Sequence, residues 1–191
     1  MLIVKLGGSL YRTAELKSWL ALLAEYAQHE SVVIVPGGGP FADMVREAQA
    51  LHDFDDQHAH HMALLAMAQY GLILHALQPS AITINTPAQA PTSGQLAIWL
   101  PDDQLLQAEE LMQNWDITSD SLALWFAQQH AQSKLALIKC VPVTTGEMNV
   151  LSENGVIDQG FRALFQQHPV ETYLVHYQQL NNFPKSGVVL G

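Results

Sequence analysis

The chain has 191 residues, 49% hydrophobic and 14% charged, which excludes a disordered protein and is long enough for one domain with a sizeable core. Its net charge of −10, with only eight Lys and Arg, argues against non-specific binding to nucleic acid or to an anionic membrane surface. Cys140 is the only cysteine, so no disulfide forms within these residues. With no signal-peptide pattern, and no apolar run near the ~18 residues of a membrane span, a cytoplasmic protein is expected.

In chain order, Leu2–Leu6 is an apolar run closed by Gly7-Gly8 and predicts a buried strand. Thr13 is placed to cap a helix along which Leu16, Leu20, Leu23 and Ala27 recur at helical spacing. Val32–Val35 is continuous and β-branched, the pattern of a central parallel strand. Phe41–Leu51 returns to helical composition, His52–Gln57 is acidic and polar like a loop, and His58–Leu77 reads as a long helix rich in Ala, Leu and Met. Ala81–Ile84 is the next strand. Asn85–Gln95 holds two prolines and a glycine and predicts a loop or β-hairpin, with Leu96–Leu100 as the returning strand.

Glu109–Trp115 leads into Asp116-Ile117-Thr118-Ser119-Asp120-Ser121, and a helix is expected over Leu122–His130. Leu135–Lys139 is another buried strand and Val141–Gly146 a turn. Asp158–Gln167 is a short helix, Thr172–Val175 a strand, and Gly187–Leu190 a last short strand. The repeated order of strand, glycine turn and helix predicts an α/β fold, a three-layer αβα sandwich with a mainly parallel central sheet. The one plausible lobe boundary falls near Gln107–Trp115. Ligands in such sheets bind beyond the carboxyl ends of the strands, where both glycine turns lie.

Those turns carry the chemistry. Lys5-Leu6-Gly7-Gly8-Ser9 offers backbone N–H groups and an ammonium together, which is what phosphoryl transfer requires of a protein. It is not a Walker A loop, and alone it is equally a tight turn with a snorkelling lysine. Pro36-Gly37-Gly38-Gly39-Pro40 follows the second strand. Three consecutive glycines are costly in an ordinary turn, and close approach of a ligand to the backbone explains them. In so acidic a chain the few cations are informative, and Lys5, Arg46 and Lys139 are the electrostatic candidates.

With these motifs the chain resembles the amino acid kinase family. The likeness rests on Lys5–Ser9, Pro36–Gly39, Thr118–Ser121 and Lys139 at the end of its strand. Within the family it is most similar to the small aminomethylfuran-methyl phosphate kinase-like branch of archaea and methylotrophs. That likeness rests on Gly37–Arg46, Ala59–Ala63 and Trp115–Ser121. It implies an ATP-dependent kinase using Mg²⁺, with Lys5, Asp120 and Lys139 as catalytic residues. Lys5 would neutralise the phosphoryl group in transfer, Lys139 would act on the nucleotide side, and Asp120 would orient both. Gly7, Gly8 and Ser9 would bind phosphate, and Gly37, Gly38, Gly39, Arg46, His60 and Trp115 the acceptor. The acceptor-binding lobe would be residues 1–108 and the nucleotide-binding lobe 109–191. The resemblance also implies a homo-oligomer and a small phosphate or carboxylate acceptor, with a phosphomonoester such as aminomethylfuran-methyl phosphate preferred.

Other readings stand beside these. Arg46 has an ion-pair partner in Asp43 at i−3, and Trp115 suits a core aromatic between lobes as well as a stacking platform. Thr118, Ser119 and Ser121 have the chemistry of helix caps, and Asp116 that of a turn cap. His58, His60 and His61 do not read as a metal site, and no metal ligands are assigned. The family follows its second lysine with Asp-x-Asp-Gly, whereas this chain continues Lys139-Cys140-Val141-Pro142. A carboxylate or carbamate kinase, or a non-catalytic anion- or nucleotide-binding relative, are the alternatives.

Overall fold

The computed structural model describes residues 1–143, 145–181 and 183–190, so the expected turn over Val141–Gly146 is described except at Thr144. Seven strands form one sheet: β1 (Leu2–Leu6), β2 (Val32–Pro36), β3 (Ile82–Ile84), β4 (Leu96–Trp99), β5 (Lys134–Lys139), β6 (Glu171–His176) and β7 (Val188–Val189). Their spatial order is β3-β4-β2-β1-β5-β6-β7, and every pairing is parallel except β6 with β7. The helices are α1 (Glu15–Tyr26), α2 (Gly39–His52), α3 (Asp56–Leu77), α4 (Ser119–Gln128), α5 (Met148–Glu153) and α6 (Phe161–Gln167). The fold is the expected α/β sandwich.

Strand alternation separates two cores. Leu2, Val4 and Leu6 join Val32, Ile34, Ala136 and Ile138 on the face covered by Trp19, Leu20 and Leu23 of α1. Ile3, Val33, Val35, Leu135 and Leu137 face the other way, against Leu122–Ala127 of α4 and Phe161 of α6. The continuous apolar runs of β1, β2 and β5 follow from this burial on both faces. The same parity turns Lys5, two residues after Ile3, and Lys139, two after Leu137, toward α4. No helix is long and apolar enough to cross a membrane among the described residues.

Several local expectations are corrected. Leu96–Trp99 is not the return of a hairpin: β4 runs parallel to β3, paired Ile82 to Ala97 and Ile84 to Trp99. The intervening residues make a crossover containing a 3₁₀ turn at Pro87–Gln89. Thr13 does not cap α1; its hydroxyl donates to the Leu10 carbonyl at the end of a 3₁₀ turn over Gly8–Arg12. The loop over His52–Gln57 shrinks to three residues, because α2 runs through His52 and Asp55 caps α3 by accepting from the His58 N–H. α4 starts at Ser119 rather than Leu122, α6 starts at Phe161 rather than Asp158, and α5 was not foreseen.

The glycine turns pack on each other through bare backbone. A Cβ on Gly8 would stand 2.4 Å from the Gly39 nitrogen, and one on Gly37 would stand 2.4 Å from the Gly8 nitrogen. A Cβ on Gly38 would meet Ala42 at 2.3 Å, and Gly39 has φ of +56°, where side chains are strained. Part of the glycine requirement is therefore turn-to-turn packing, beside any approach of a ligand. Gly8→Ala or Gly37→Ala forces backbone apart and is expected to destabilise the fold by about 3 kcal/mol, read as a lower midpoint in urea unfolding.

Candidate active site

Three ionised side chains meet at the carboxyl end of the sheet. Lys5 comes from β1, Lys139 from the last position of β5, and Asp120 from the first turn of α4. Lys139 Nζ donates to Asp120 Oδ2 at 2.5 Å, and Lys5 Nζ lies 3.0 Å from Oδ1. All three residues are between 5% and 8% exposed. Both contacts are buried ion pairs, and the Lys139 one is also a well-aligned hydrogen bond. A Cβ on Gly7 would crowd the Ile138 carbonyl at 3.1 Å.

Burial works against the Asp120 carboxylate, but Lys139 and then Lys5 overcome it and hold its pKa below the usual carboxylate range. Burial pushes Lys139 down to about 8; Asp120 opposes that shift and the Lys5 charge adds to it. The opposite behaviour of the partners has a simple source: Asp120 has two cations beside it, whereas Lys139 has Asp120 and, more weakly, Asp158 set against burial and a competing cation. Buried ion pairs are weak devices for stability, because desolvation offsets much of the attraction. Titratable groups perturbed in this way mark functional sites.

A cavity of about 470 Å³ is lined by Ser119, the neighbour of Asp120, and by Gly8 of the turn after Lys5, but by none of the three triad residues themselves. Gly8, Ser9, Gly38 and Gly39 line it from the turns, Arg46 from α2, His60 and Met67 from α3, and Trp115 and Ser119 from the segment that opens α4. Of the expected phosphate and acceptor residues, Gly7 and Gly37 do not reach it. Gly7 instead abuts the Ile138 carbonyl and the Lys5 ammonium.

Arg46 fits both of its readings. Its guanidinium carbon stands 4.0 Å from the centre of the Trp115 ring and NH1 lies 3.9 Å from Asp43 Oδ1. Trp115 is itself fixed by a 2.6 Å bond from Nε1 to Gln49 Oε1 on α2. His60 is 5% exposed, and burial holds its pKa down while the Asn114 backbone opposes that shift. His58 and His61 pair with Asp55 and Asp103 away from the cavity.

Two residues escaped the sequence reading. Arg12 lines the cavity, and the signal for it was spacing: Ser9 and Arg12 are eclipsed at i and i+3 on a 3₁₀ turn. Asp158 is the real cap of α4. Its Oδ2 accepts from the Thr118 N–H, the Thr118 hydroxyl and the Ser121 N–H, while Oδ1 accepts from the Ser121 hydroxyl and the Phe161 N–H. Thr118 and Ser121 are thus not the capping groups that one of their readings expected: their hydroxyls donate to Asp158, which caps in their place, and Asp116 bonds to Asn114 in its own turn.

Among the described residues no group of three or more His, Cys, Asp or Glu is arranged to hold a metal ion. The two carboxylates nearest the triad are engaged, Asp120 by two lysines and Asp158 by five donors. A resident metal ion does not fit this centre.

The amino acid kinase family model matches residues 1–158. The [5-(aminomethyl)furan-3-yl]methyl phosphate kinase of Methanocaldococcus jannaschii is 28% identical over 197 aligned positions, covering 92% of this chain and 88% of that one. Among solved structures, the uridylate kinase of Archaeoglobus fulgidus matches with a TM-score of 0.74 at 16% identity, over 99% of this chain and 97% of that one. An aspartate kinase from Synechocystis matches with a TM-score of 0.70 at 14% identity, over 100% of this chain but 39% of that one. The structural likenesses establish the fold, and the family model adds membership: the chain belongs to the amino acid kinase family and is a phosphoryl-transferring enzyme of it.

Proposed function

We propose that the chain transfers the γ-phosphoryl group of ATP to a small anionic acceptor, a phosphomonoester such as aminomethylfuran-methyl phosphate, giving a diphosphate and ADP. The observation that carries this reading is the Lys5–Asp120–Lys139 centre set against a cavity rimmed by Arg12 and Arg46. An acceptor phosphate oxygen attacks the γ-phosphorus while the bond to the β,γ-bridging oxygen breaks. An acceptor that is already an anion needs no general base. The two ammonium groups meet the charge on the transferring group, and Asp120 keeps them apart and oriented. Mg²⁺ belongs to the ATP substrate in this reading, bound by its phosphates.

In the same reading Gly8, Ser9, Gly38 and Gly39 offer backbone donors to the phosphates, and Gly7 and Gly37 shape the turns. Residues 1–108 hold the acceptor and 109–191 the nucleotide, within a cytoplasmic homo-oligomer. Trp115, with Met67 and Ile117, gives the cavity a flat apolar wall suited to a small aromatic ring. Asp43 is the one carboxylate among the lining residues described; it lies 3.9 Å from Arg46 NH1, is largely exposed, and in this reading also pairs with the acceptor's ammonium. A carboxylate acceptor would engage the arginines equally well.

Lys5→Ala is expected to lower kcat roughly 100- to 1,000-fold in a coupled ADP-release assay with that acceptor, with circular dichroism unchanged. Unaltered turnover would sink the kinase reading. Lys139 is active as the ammonium and its pKa is depressed to about 8, so kcat/KM should hold below that pH and fall as pH rises through it. A profile flat to pH 10 would contradict this. Asp43→Asn should raise KM several-fold for the aminomethyl acceptor and leave it unchanged for an analogue bearing methyl in place of aminomethyl.

A further inference from the structure

The reaction centre depends on where α4 begins, because Asp120 sits in its first turn. A helix start needs partners for its free N–H groups, and the N-cap side chain normally supplies one by accepting from N2 or N3. Thr118 occupies the N-cap position and makes no such bond. Its hydroxyl donates at 2.7 Å to Asp158 Oδ2, and that same oxygen accepts from the Ser121 N–H at 3.0 Å. The cap is therefore delivered from a segment almost forty positions further along the chain.

That carboxylate also accepts from the Thr118 N–H at 2.9 Å, from the Ser121 hydroxyl, and from the Phe161 N–H at 3.0 Å. The three N–H groups are obligate donors and the two hydroxyls can turn to donate as well, so the ionised carboxylate satisfies all five partners. Burial pushes the Asp158 pKa up and the Asp120 charge adds to this, while the Ser121 and Thr118 bonds pull it back.

The two segments are locked at a second point. The Gly160 N–H donates to the Asp116 carbonyl at 2.8 Å, and a Cβ on Gly160 would stand 2.2 Å from Ile117 Cδ1. There is no slack between 116–121 and 158–161. Asp120, flanked by Ser119 and Ser121, is carried on the clamped turn.

We propose that Asp158 is a positioning residue for phosphoryl transfer: by capping α4 from outside the helix, it sets Asp120 between Lys5 and Lys139. It is not among the residues that line the cavity. It acts on Lys139 a second way, as a buried negative charge that favours the ammonium. The charged groups facing Lys139 are Asp120 from α4, Lys5 from β1 and Asp158 from the segment before α6. Removing the Asp158 charge leaves Lys139 with one anion against one cation, and so lowers its pKa further. This inference rests on the reading of the lysine–aspartate centre as the place of transfer, and adds a residue that the segment beyond Lys139 contributes to it.

The test compares wild type, Asp158→Asn and Lys5→Ala in the ADP-release assay, with a ¹⁵N NMR titration of the Lys139 side-chain amine. Asp158→Asn is expected to lower kcat at least tenfold with both KM values within twofold. It should also move the alkaline limb of kcat and the Lys139 midpoint to lower pH. A purely structural role would lower the melting temperature and leave the Lys139 midpoint in place. An unchanged midpoint overturns the inference whatever the turnover.

Lys5→Ala separates the two readings. If it leaves turnover intact while the Lys139 midpoint still falls in Asp158→Asn, the kinase centre is wrong and the clamp stands. If it abolishes turnover while Asp158→Asn matches wild type, the clamp is wrong and the centre stands. Should Asp158→Asn fail to fold, Thr118→Val and Ser121→Ala each remove one hydroxyl donor from the carboxylate. A several-fold loss of kcat at constant KM in either supports the inference, and kcat within twofold of wild type in both overturns it.

Discussion

Two ammonium groups cannot stay ionised and buried at the ends of neighbouring strands unless an anion lies between them. β1 and β5 are adjacent in the sheet, and the two-residue alternation of each strand turns Lys5 and Lys139 to the same face. Like charges at that spacing repel strongly in a low-dielectric setting. Asp120 removes the conflict, with one oxygen toward each lysine. The triad keeps one net positive charge. What remains is an unfilled demand for an anion at the carboxyl end of the sheet, where open α/β sheets bind their ligands. The position of α4, the cap beneath it and the turn around Lys5 all serve this arrangement.

The glycine turns meet a different constraint at the same place. The first helical turns after β1 and β2 must lie side by side for their N–H groups to face one cavity. Any side chain on Gly8 or Gly37 would hold them apart. Glycine thus brings two turns into backbone contact, and that contact fixes the direction of the free N–H groups. Packing and anion recognition are two results of one close approach, so the requirement for glycine does not by itself separate them.

Much of this was legible in the sequence because burial on both faces leaves a plain mark. The runs Leu2–Leu6, Val32–Val35 and Leu135–Lys139 are the strands at the centre of the sheet, and the lysines ending two of them broke the apolar pattern. Arg46 stood out as one of few cations in an acidic chain, His60 and Trp115 through the family likeness, and all three line the cavity. The failures also have physical causes. β3 and β4 are joined by a connection short enough to suit a hairpin, and their pairing direction depends on neighbours far away in the chain. Ser119, Asp120 and Ser121 are poor interior helix formers and read as a cap, because the group that caps them, Asp158, is a long-range partner. Arg12 was passed over because a 3₁₀ turn leaves little periodicity to detect.

The distribution of cations completes the argument. Of the eight Lys and Arg residues, four stand at this centre: Lys5 and Lys139 in the triad, Arg12 and Arg46 on the cavity wall. They come from the two glycine-turn segments and the end of β5, so no local stretch of sequence is basic. Lys134 is paired with Glu171 at the other end of β5. In a chain of net charge −10, a polyanion approaching almost any other part of the surface is repelled, and the cavity becomes the favourable entry. Such focusing does not require a basic protein. It requires that few positive charges be placed together and that the carboxylates among them leave a positive balance, as Asp120 does between two lysines and Asp43 does beside Arg46.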